Sequence, residues 1–276
     1  MGAGECAHAP VTVFASRSVS GRTALVTGAG TGLGRAIARA LATQGARVLL
    51  TGRNRETLEA VADEIAAGAQ DDASCTTRVG ICDTSNPESV TALADEFANE
   101  QISILINNAG VAGPVAPLVE IDVADWDEVF AVNVRGIFLM CRAFLPPMIH
   151  RGHGDVINLA SVSGKRPLAR RTPYTASKAA VLGLTATLAH EVGPLGIIVN
   201  SLSPGPVSGA RMTRNFALEG ERTGLGAAAA EEQFVSRAAL GRMVTEEEVA
   251  SAVLAMLAMP GLCGADVDLS AGMVAR

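Results

Sequence analysis

From residue 22 onward the chain alternates short β-branched runs with longer stretches of helical periodicity, and this alternation restricts the fold more than any other feature. The runs are Thr23 to Thr27, Arg47 to Thr51, Ile102 to Ile106, Asp155 to Leu159, Ile197 to Ser201 and Asp266 to Leu269, with another expected over residues 76 to 82. Between the first two, Leu33, Ile37 and Leu41 recur at four-residue steps, and Gly45 stands ready to terminate the helix. Near the other end, Thr245 and Glu248 form a capping box that should start the helix containing Val249, Val253, Leu254 and Leu257. Repeated strand, helix, strand units imply an α/β architecture with a parallel β-sheet flanked by helices on both faces.

The chain has 276 residues, of which 49% are hydrophobic and 18% charged, enough for one large, well-buried domain. That domain is expected over 21–276, behind a mobile tail at 1–20 rich in Ala, Ser and Gly. The tail lacks the apolar core of a secretory signal, and no run elsewhere approaches the ~18 uninterrupted apolar residues of a spanning helix, so the sequence reads as cytoplasmic with no membrane partner. Arg17 among Ser16, Ser18 and Ser20 leaves an organelle-targeting reading, which Glu5 opposes. With 22 Lys+Arg against 28 Asp+Glu there is no broad basic field, hence no nucleic-acid partner. The cysteines (Cys6, Cys75, Cys82, Cys141, Cys263) are scattered, and none of the histidines (His8, His150, His153, His190) forms an H-E-x-x-H. Reduced thiols and no metal are expected. Residues 206–241, rich in Gly, Ala and Arg, read as a partly helical, mobile substrate flap.

Directly after the first strand comes Thr27-Gly28-Ala29-Gly30-Thr31-Gly32-Leu33-Gly34, leading straight into a helix. Glycines there permit a tight turn and let the backbone approach a pyrophosphate, whose charge rests on the unpaired N–H groups of the helix N-terminus. A structural turn is the bland alternative. With the alternation above, the loop implies a single doubly wound Rossmann-type domain. The second strand ends Thr51-Gly52-Arg53-Asn54, where an acidic partner for a free ribose 2′-hydroxyl would stand. Arg53 instead offers a guanidinium fork suited to a 2′-phosphate, which favours NADP(H), with NAD(H) possible. A solvated loop arginine is the other reading.

Ser161 lies just past the fifth expected strand, Tyr174 follows 13 residues later, and Lys178 follows the tyrosine at i+4. Positions i and i+4 share a helix face, so the ammonium can lie near the phenol. A free tyrosine has a pKa near ~10, and a neighbouring cation favours the phenolate and brings it toward the working range. Tyr174 is the chain's one tyrosine.

Together these residues resemble the short-chain dehydrogenase/reductase family from about Gly21 to the C-terminus. The marks stand in order: Thr27-Gly28-x3-Gly32-x-Gly34, Asn107-Asn108-Ala109-Gly110, Asn133, Ser161, Tyr174-x3-Lys178 and Pro204-Gly205. The resemblance implies that Tyr174 is the general acid in reduction and base in oxidation, and that Ser161 hydrogen-bonds the substrate oxygen. It implies that Lys178 holds the nicotinamide ribose and lowers the tyrosine pKa, while Asn133 positions a water in a proton relay. The cofactor side would comprise Gly28, Thr31, Gly32, Leu33 and Gly34, Arg53, Asp83 at the adenine, Asn108, Ala109 and Gly110 along the ribose, and Pro204, Gly205 and Val207 by the carboxamide, with Tyr174 and Lys178.

Asn107 is expected to brace the sheet, and Asp83 has a second reading as a cap for the helix near Pro87. Three positions depart from the family pattern. Thr31 stands where many NADP-preferring members carry a basic residue, Gly209 where threonine is common, and Ser270-Ala271-Gly272 lacks the usual double glycine.

The implied activity is NAD(P)(H)-dependent oxidoreduction, most naturally NADPH-dependent reduction of a ketone of the 3-oxoacyl thioester or keto acid type. Oxidation of a sugar, polyol or other secondary alcohol is the alternative, and a non-catalytic dinucleotide sensor is a remote one. Lys165, Arg166, Arg170 and Arg171, with Arg211 and Arg214, suggest an anionic substrate; a subunit contact or solvated edge is the competing reading. The helical segments Asp125 to Ile149 and Pro173 to Val192 match those that pair subunits in the family, implying a homodimer or homotetramer.

Overall fold

The computed structural model describes residues 18–68 and 77–274; Cys6, His8, Cys75 and the side chain of Arg211 lie outside the described residues. Seven strands, β1 (Thr23–Thr27), β2 (Arg47–Gly52), β3 (Thr77–Ile81), β4 (Ile102–Asn107), β5 (Gly154–Leu159), β6 (Ile197–Pro204) and β7 (Asp266–Leu269), form one sheet in the order β3-β2-β1-β4-β5-β6-β7. Every neighbouring pair is parallel. The chain winds outward from β1 through β2 to β3, then returns to lay β4 on the other side of β1. The loops after β1 and β4 therefore diverge, and a crevice opens between them at the carboxyl ends of the strands.

Successive residues of each inner strand serve opposite faces. Val26, Leu50, Ile104 and Ile157 pack with Ile37 and Leu41 of α1 (Gly32–Thr43), Leu58 of α2 (Arg55–Gly68) and Val253 of α9 (Glu246–Leu257). Leu25, Leu49, Leu105 and Val156 pack on the other side with Leu93 of α3 (Pro87–Glu96), Met140 of α5 (Gly136–Arg151) and Val181 of α6 (Thr172–Val192). Each fully buried side chain of this size contributes roughly 1.5–3 kcal/mol, so the two layers hold the sheet flat against its helices. Gly45, at φ +80°, ends α1 as the sequence implies.

Between β4 and β5 the chain forms α4 (Val123–Phe130), a π turn at Ala131–Arg135, and α5, a continuous helical run from Val123 to Arg151. This run is long and apolar enough to cross a membrane by composition, yet half of its most apolar window is buried, as in a core helix. The segment expected as a flap contains α7 (Ala210–Thr223) and α8 (Ala227–Val235), which share a small core of Met212, Phe216, Ala230 and Phe234. Of the tail expected over 1–20, residues 1–17 lie outside the described residues, and Val19 is buried in the main core.

Candidate active site

The glycine loop packs closely against the backbone at Gly28 and Gly34 and turns through left-handed conformations. Gly28 has φ +64° and Gly32 φ +52°, in the left-handed region. A methyl on Gly34 would lie 2.1 Å from the carbonyl oxygen of Gly28, so α1 starts in direct contact with the loop. Thr31, the N-cap of α1, makes no side-chain capping bond, leaving the first-turn amides of Gly32 and Leu33 without a hydroxyl partner. Uncapped amides above a glycine cradle are the donor set that a diphosphate requires.

Thr27 and Asn108 stitch the two sides of the crevice together. The Asn108 amide group donates to Thr27 O at 2.9 Å and Gly28 O at 3.3 Å, while the Asn108 and Ala109 N–H groups both donate to Thr27 Oγ1 at 2.9 Å. Thr27 thus has a task that the glycine pattern alone does not reveal. Asn107 braces the sheet, its amide donating to Asn158 Oδ1 at 2.8 Å.

At the end of β2, Arg53 is exposed and makes no hydrogen bond or ion pair among the described residues. Asp83 accepts from the N–H and hydroxyl of Ser85, and that hydroxyl is the main reason its carboxyl lies below the usual range, with the nearby charges of Arg53 and Arg135 adding to it. The cap of α3 is Asn86, which accepts from Ser89 N at 2.7 Å, so Asp83 is not used as the cap.

On the opposite side of the crevice, Lys178 is 5% exposed and donates from Nζ to Leu159 O at 2.6 Å. The same nitrogen lies 5.9 Å from the centre of the Tyr174 ring. Tyr174 is half-buried, and its hydroxyl has no hydrogen-bond partner among the described residues. Asn133, fully buried on the π turn, accepts from Val111 N at 2.8 Å and donates to Val111 O at 2.9 Å and Ser177 Oγ at 3.0 Å. Ser177 in turn donates to Tyr174 O at 2.8 Å, which ties the asparagine to the tyrosine's own helix. The sequence reading omitted Ser177; its position three residues past Tyr174, on the same face, was the available signal. A methyl on Gly110 would lie 3.1 Å from Asn133 Oδ1 and 3.7 Å from Lys178 Nζ, so the loop after β4 borders both. Ser161 stands two residues past β5 in an extended conformation and accepts from Ser163 N at 3.1 Å.

Pro204 closes β6, Gly205 N donates to Leu269 O at 2.7 Å, and Val207 bridges to Val244. Ser208 is tied to Val244 O through both its N–H and its hydroxyl. Ala271 takes φ +53°, a left-handed conformation that glycine would adopt without strain.

The basic residues between Ser161 and Tyr174 do not form one open patch. Lys165 pairs with Asp266 and Asp268, Arg171 donates to Ala112 O and Gly113 O at 3.3 Å, and Arg170 donates to Val115 O at 3.4 Å. Arg166 and Arg214 are exposed. Among the described residues no group of three or more His, Cys, Asp or Glu is placed to hold a metal ion. Burial pushes the Cys141 thiol up to about 12 against the opposing effect of the Asn107 amide, so it is an inert core group.

The model for short chain dehydrogenase matches residues 22–221, more than half of the chain. The chain belongs to the short-chain dehydrogenase/reductase family. A D-threitol dehydrogenase of Mycolicibacterium smegmatis is 42% identical over 190 residues, covering 67% of this chain and 70% of that protein. The 3-oxoacyl-[acyl-carrier-protein] reductase FabG of Aquifex aeolicus is 32% identical over 244 residues, covering 86% and 90%. Among solved structures, an NAD+-bound xylitol dehydrogenase superposes with a TM-score of 0.85 at 28% identity, covering 92% of this chain and 99% of that one. Other matching structures of the family hold NADP or NADPH. This short-chain dehydrogenase/reductase is accordingly an oxidoreductase acting on alcohol or carbonyl groups with a nicotinamide dinucleotide.

Proposed function

We propose that this enzyme interconverts a hydroxyl and a carbonyl on a neutral sugar, polyol or related secondary alcohol, with NADP(H) as the preferred dinucleotide. The observation that carries the reaction is the buried Lys178 ammonium beside the ring of Tyr174, whose hydroxyl is otherwise unengaged. Tyr174 delivers its proton to the carbonyl oxygen in reduction and removes it from the alcohol in oxidation. Lys178 places a positive charge beside the phenol, and Ser161 donates to the substrate oxygen as negative charge grows there. Asn133, held by Val111 and Ser177, fixes the π turn beside Lys178 and supports the relay that returns protons from solvent.

Gly28, Thr31, Gly32, Leu33 and Gly34 would cradle the diphosphate, with Asn108, Ala109 and Gly110 bordering the riboses, Asp83 the adenine, and Pro204, Gly205 and Val207 the carboxamide. When bound, the dinucleotide supplies or accepts the hydride. Arg53 supports the NADP(H) preference, because an exposed guanidinium without a carboxylate contact is available to a 2′-phosphate.

The neutral substrate follows from the use of charge inside the protein. Lys165 is neutralised by Asp266 and Asp268 and Arg171 is anchored on backbone carbonyls, so neither side chain is left as a dedicated partner for the carboxylate of a keto acid or the phosphate of an acyl-carrier thioester. The names of D-threitol dehydrogenase and xylitol dehydrogenase point the same way. The length of the match to FabG favours a second reading, NADPH-dependent reduction of a 3-oxoacyl thioester.

A screen of tetritols, pentitols, hexitols, ketohexoses, acetoacetyl thioesters and keto acids, with both dinucleotides, separates the two. Turnover of polyols or ketoses at kcat/KM at least tenfold above the thioesters is expected, and the reverse order would replace this reading with the second. Tyr174→Phe should lower kcat by about 10²–10⁴-fold while still binding NADPH.

A further inference from the structure

We propose that Lys165, held between Asp266 and Asp268, is a positioning residue for Ser161, an inference that rests on reading Ser161 as the donor to the substrate oxygen. Lys165 stands four residues after that serine, at the end of the short 3-10 turn Val162–Gly164. Its side chain is 7% exposed, and its ammonium contacts Asp266 Oδ2 and Asp268 Oδ1. The two aspartates occupy alternate positions of β7 and so project from one face of the strand. Between Lys165 and β7 lies β6, and it joins the cluster: Ser201 and Ser203 donate to Asp266 Oδ1 at 2.7 and 2.8 Å. One charged side chain therefore ties the turn leaving β5 to β7 directly and, through Asp266, to the carboxyl half of β6.

The other side of the turn meets the helix that carries the tyrosine. A methyl on Gly164 would lie 2.8 Å from the backbone carbon of Lys178, so the turn rests on α6 at the catalytic lysine. Gly164 N donates to Ser161 O at 2.9 Å and Lys165 N to Val162 O at 3.1 Å, closing the turn on itself. The turn is thus clamped between α6 and β7, and the ion cluster sets how far Ser161 stands from Tyr174 and Lys178. The Lys165 ammonium is the buried partner of the cluster and cannot be displaced without leaving its charge short of both solvent and carboxylate, which fixes the turn that carries it.

Three full-length variants test this: Lys165→Met, Asp268→Asn and Lys165→Arg. Asp268→Asn keeps Asp266 with both serine donors, and carries the comparison should Lys165→Met fold poorly. Hydrogen–deuterium exchange follows the peptide containing the Gly164 and Lys165 amides, and is expected to quicken at least tenfold in the first two variants and stay within twofold of wild type in Lys165→Arg. With the best polyol or ketose of the screen above, kcat should fall about tenfold or more, with the Kd for NADPH unchanged and a larger primary deuterium isotope effect as hydride transfer becomes limiting. Lys165→Arg should restore kcat. If Lys165→Met lowers Tm but leaves kcat and the exchange of this peptide within twofold of wild type, the cluster merely fastens β7 and the proposal is overturned. A wild-type enzyme inactive on every compound in the panel would defeat the substrate reading, while the exchange result would still decide the positioning role.

Discussion

At Gly34 the geometry leaves less room for change than anywhere else in the glycine loop. A methyl group 2.1 Å from Gly28 O cannot be accommodated by a side-chain rotation, because the atom it meets belongs to the backbone. Gly34→Ala should displace α1 from the loop, costing about 1–3 kcal/mol of stability and weakening NADPH binding at least tenfold in a fluorescence titration. Binding within twofold of wild type would show that the diphosphate does not rest there. Arg53 allows a cleaner separation. A charge-assisted bond to a 2′-phosphate is worth roughly 1.5–3 kcal/mol, so Arg53→Ala should lower kcat/KM for NADPH by roughly 10–100-fold and leave NADH within twofold. Equal losses with both dinucleotides would assign Arg53 to the shared part of the cofactor. The residues that the sequence alone disclosed were those whose chemistry depends on local spacing: Tyr174 and Lys178 one helical turn apart, and glycines between a strand and a helix. Ser177 was not singled out, and the tasks of Thr27 and Lys165 were not read, because the partners are distant in sequence, at Asn133, Asn108 and Asp266.

Among the elements, α9 makes its own stability depend on pH. Thr245 and Glu248 form the reciprocal capping box expected from their spacing. The Glu248 carboxylate is held down to about 2 from an ordinary 4.5, first by the Arg242 guanidinium and then by Thr245 N–H. A depressed carboxyl favours the folded state above its unfolded value, and that contribution disappears as pH falls from 4.5 toward 2. Glu248→Gln should therefore flatten the dependence of Tm on pH across that interval and lower Tm at pH 7. An unchanged slope would mean that other carboxylates carry the acid sensitivity. Strand boundaries were legible wherever β-branched residues filled the strand, and drifted where polar residues continued the ladder. β4 extends to Asn107 and β6 to Pro204, because Asn107 pairs with Asn158 and Ser203 with Asp268 inside the sheet. Alternation cannot register a strand whose buried residues are polar.

For the whole molecule, a parallel sheet covered by helices on both faces was foreseeable from alternation, whereas the order with β1 beside β4 was not, since alternation alone permits other doubly wound orders. The distribution of charge was not, because contiguous basic residues in sequence were dispersed to separate carboxylates and carbonyls on folding. A groove of about 840 Å³ lies along α4 and α5, lined by Phe130, Val134 and Phe138 with Asp127, Glu128 and Arg135. Phe138 is half exposed there. We propose this groove as the contact should two copies of the chain associate through the helices that the sequence resemblance singled out. Phe138→Glu should shift the elution of the protein in size-exclusion chromatography toward the monomer, and unaltered elution from an oligomeric wild type would place the contact elsewhere.

The π turn at Ala131–Arg135 has an evolutionary corollary. A π turn amounts to one residue more than an α-helix needs, and each helical residue corresponds to about 100° of rotation. The widened turn absorbs that rotation, so excising a residue between Phe130 and Gly136 would close a regular α-helix with its flanks in register but remove the turn on which Asn133 reaches Val111 and Ser177. Lineages of this chain should preserve both the length of that stretch and Asn133 within it.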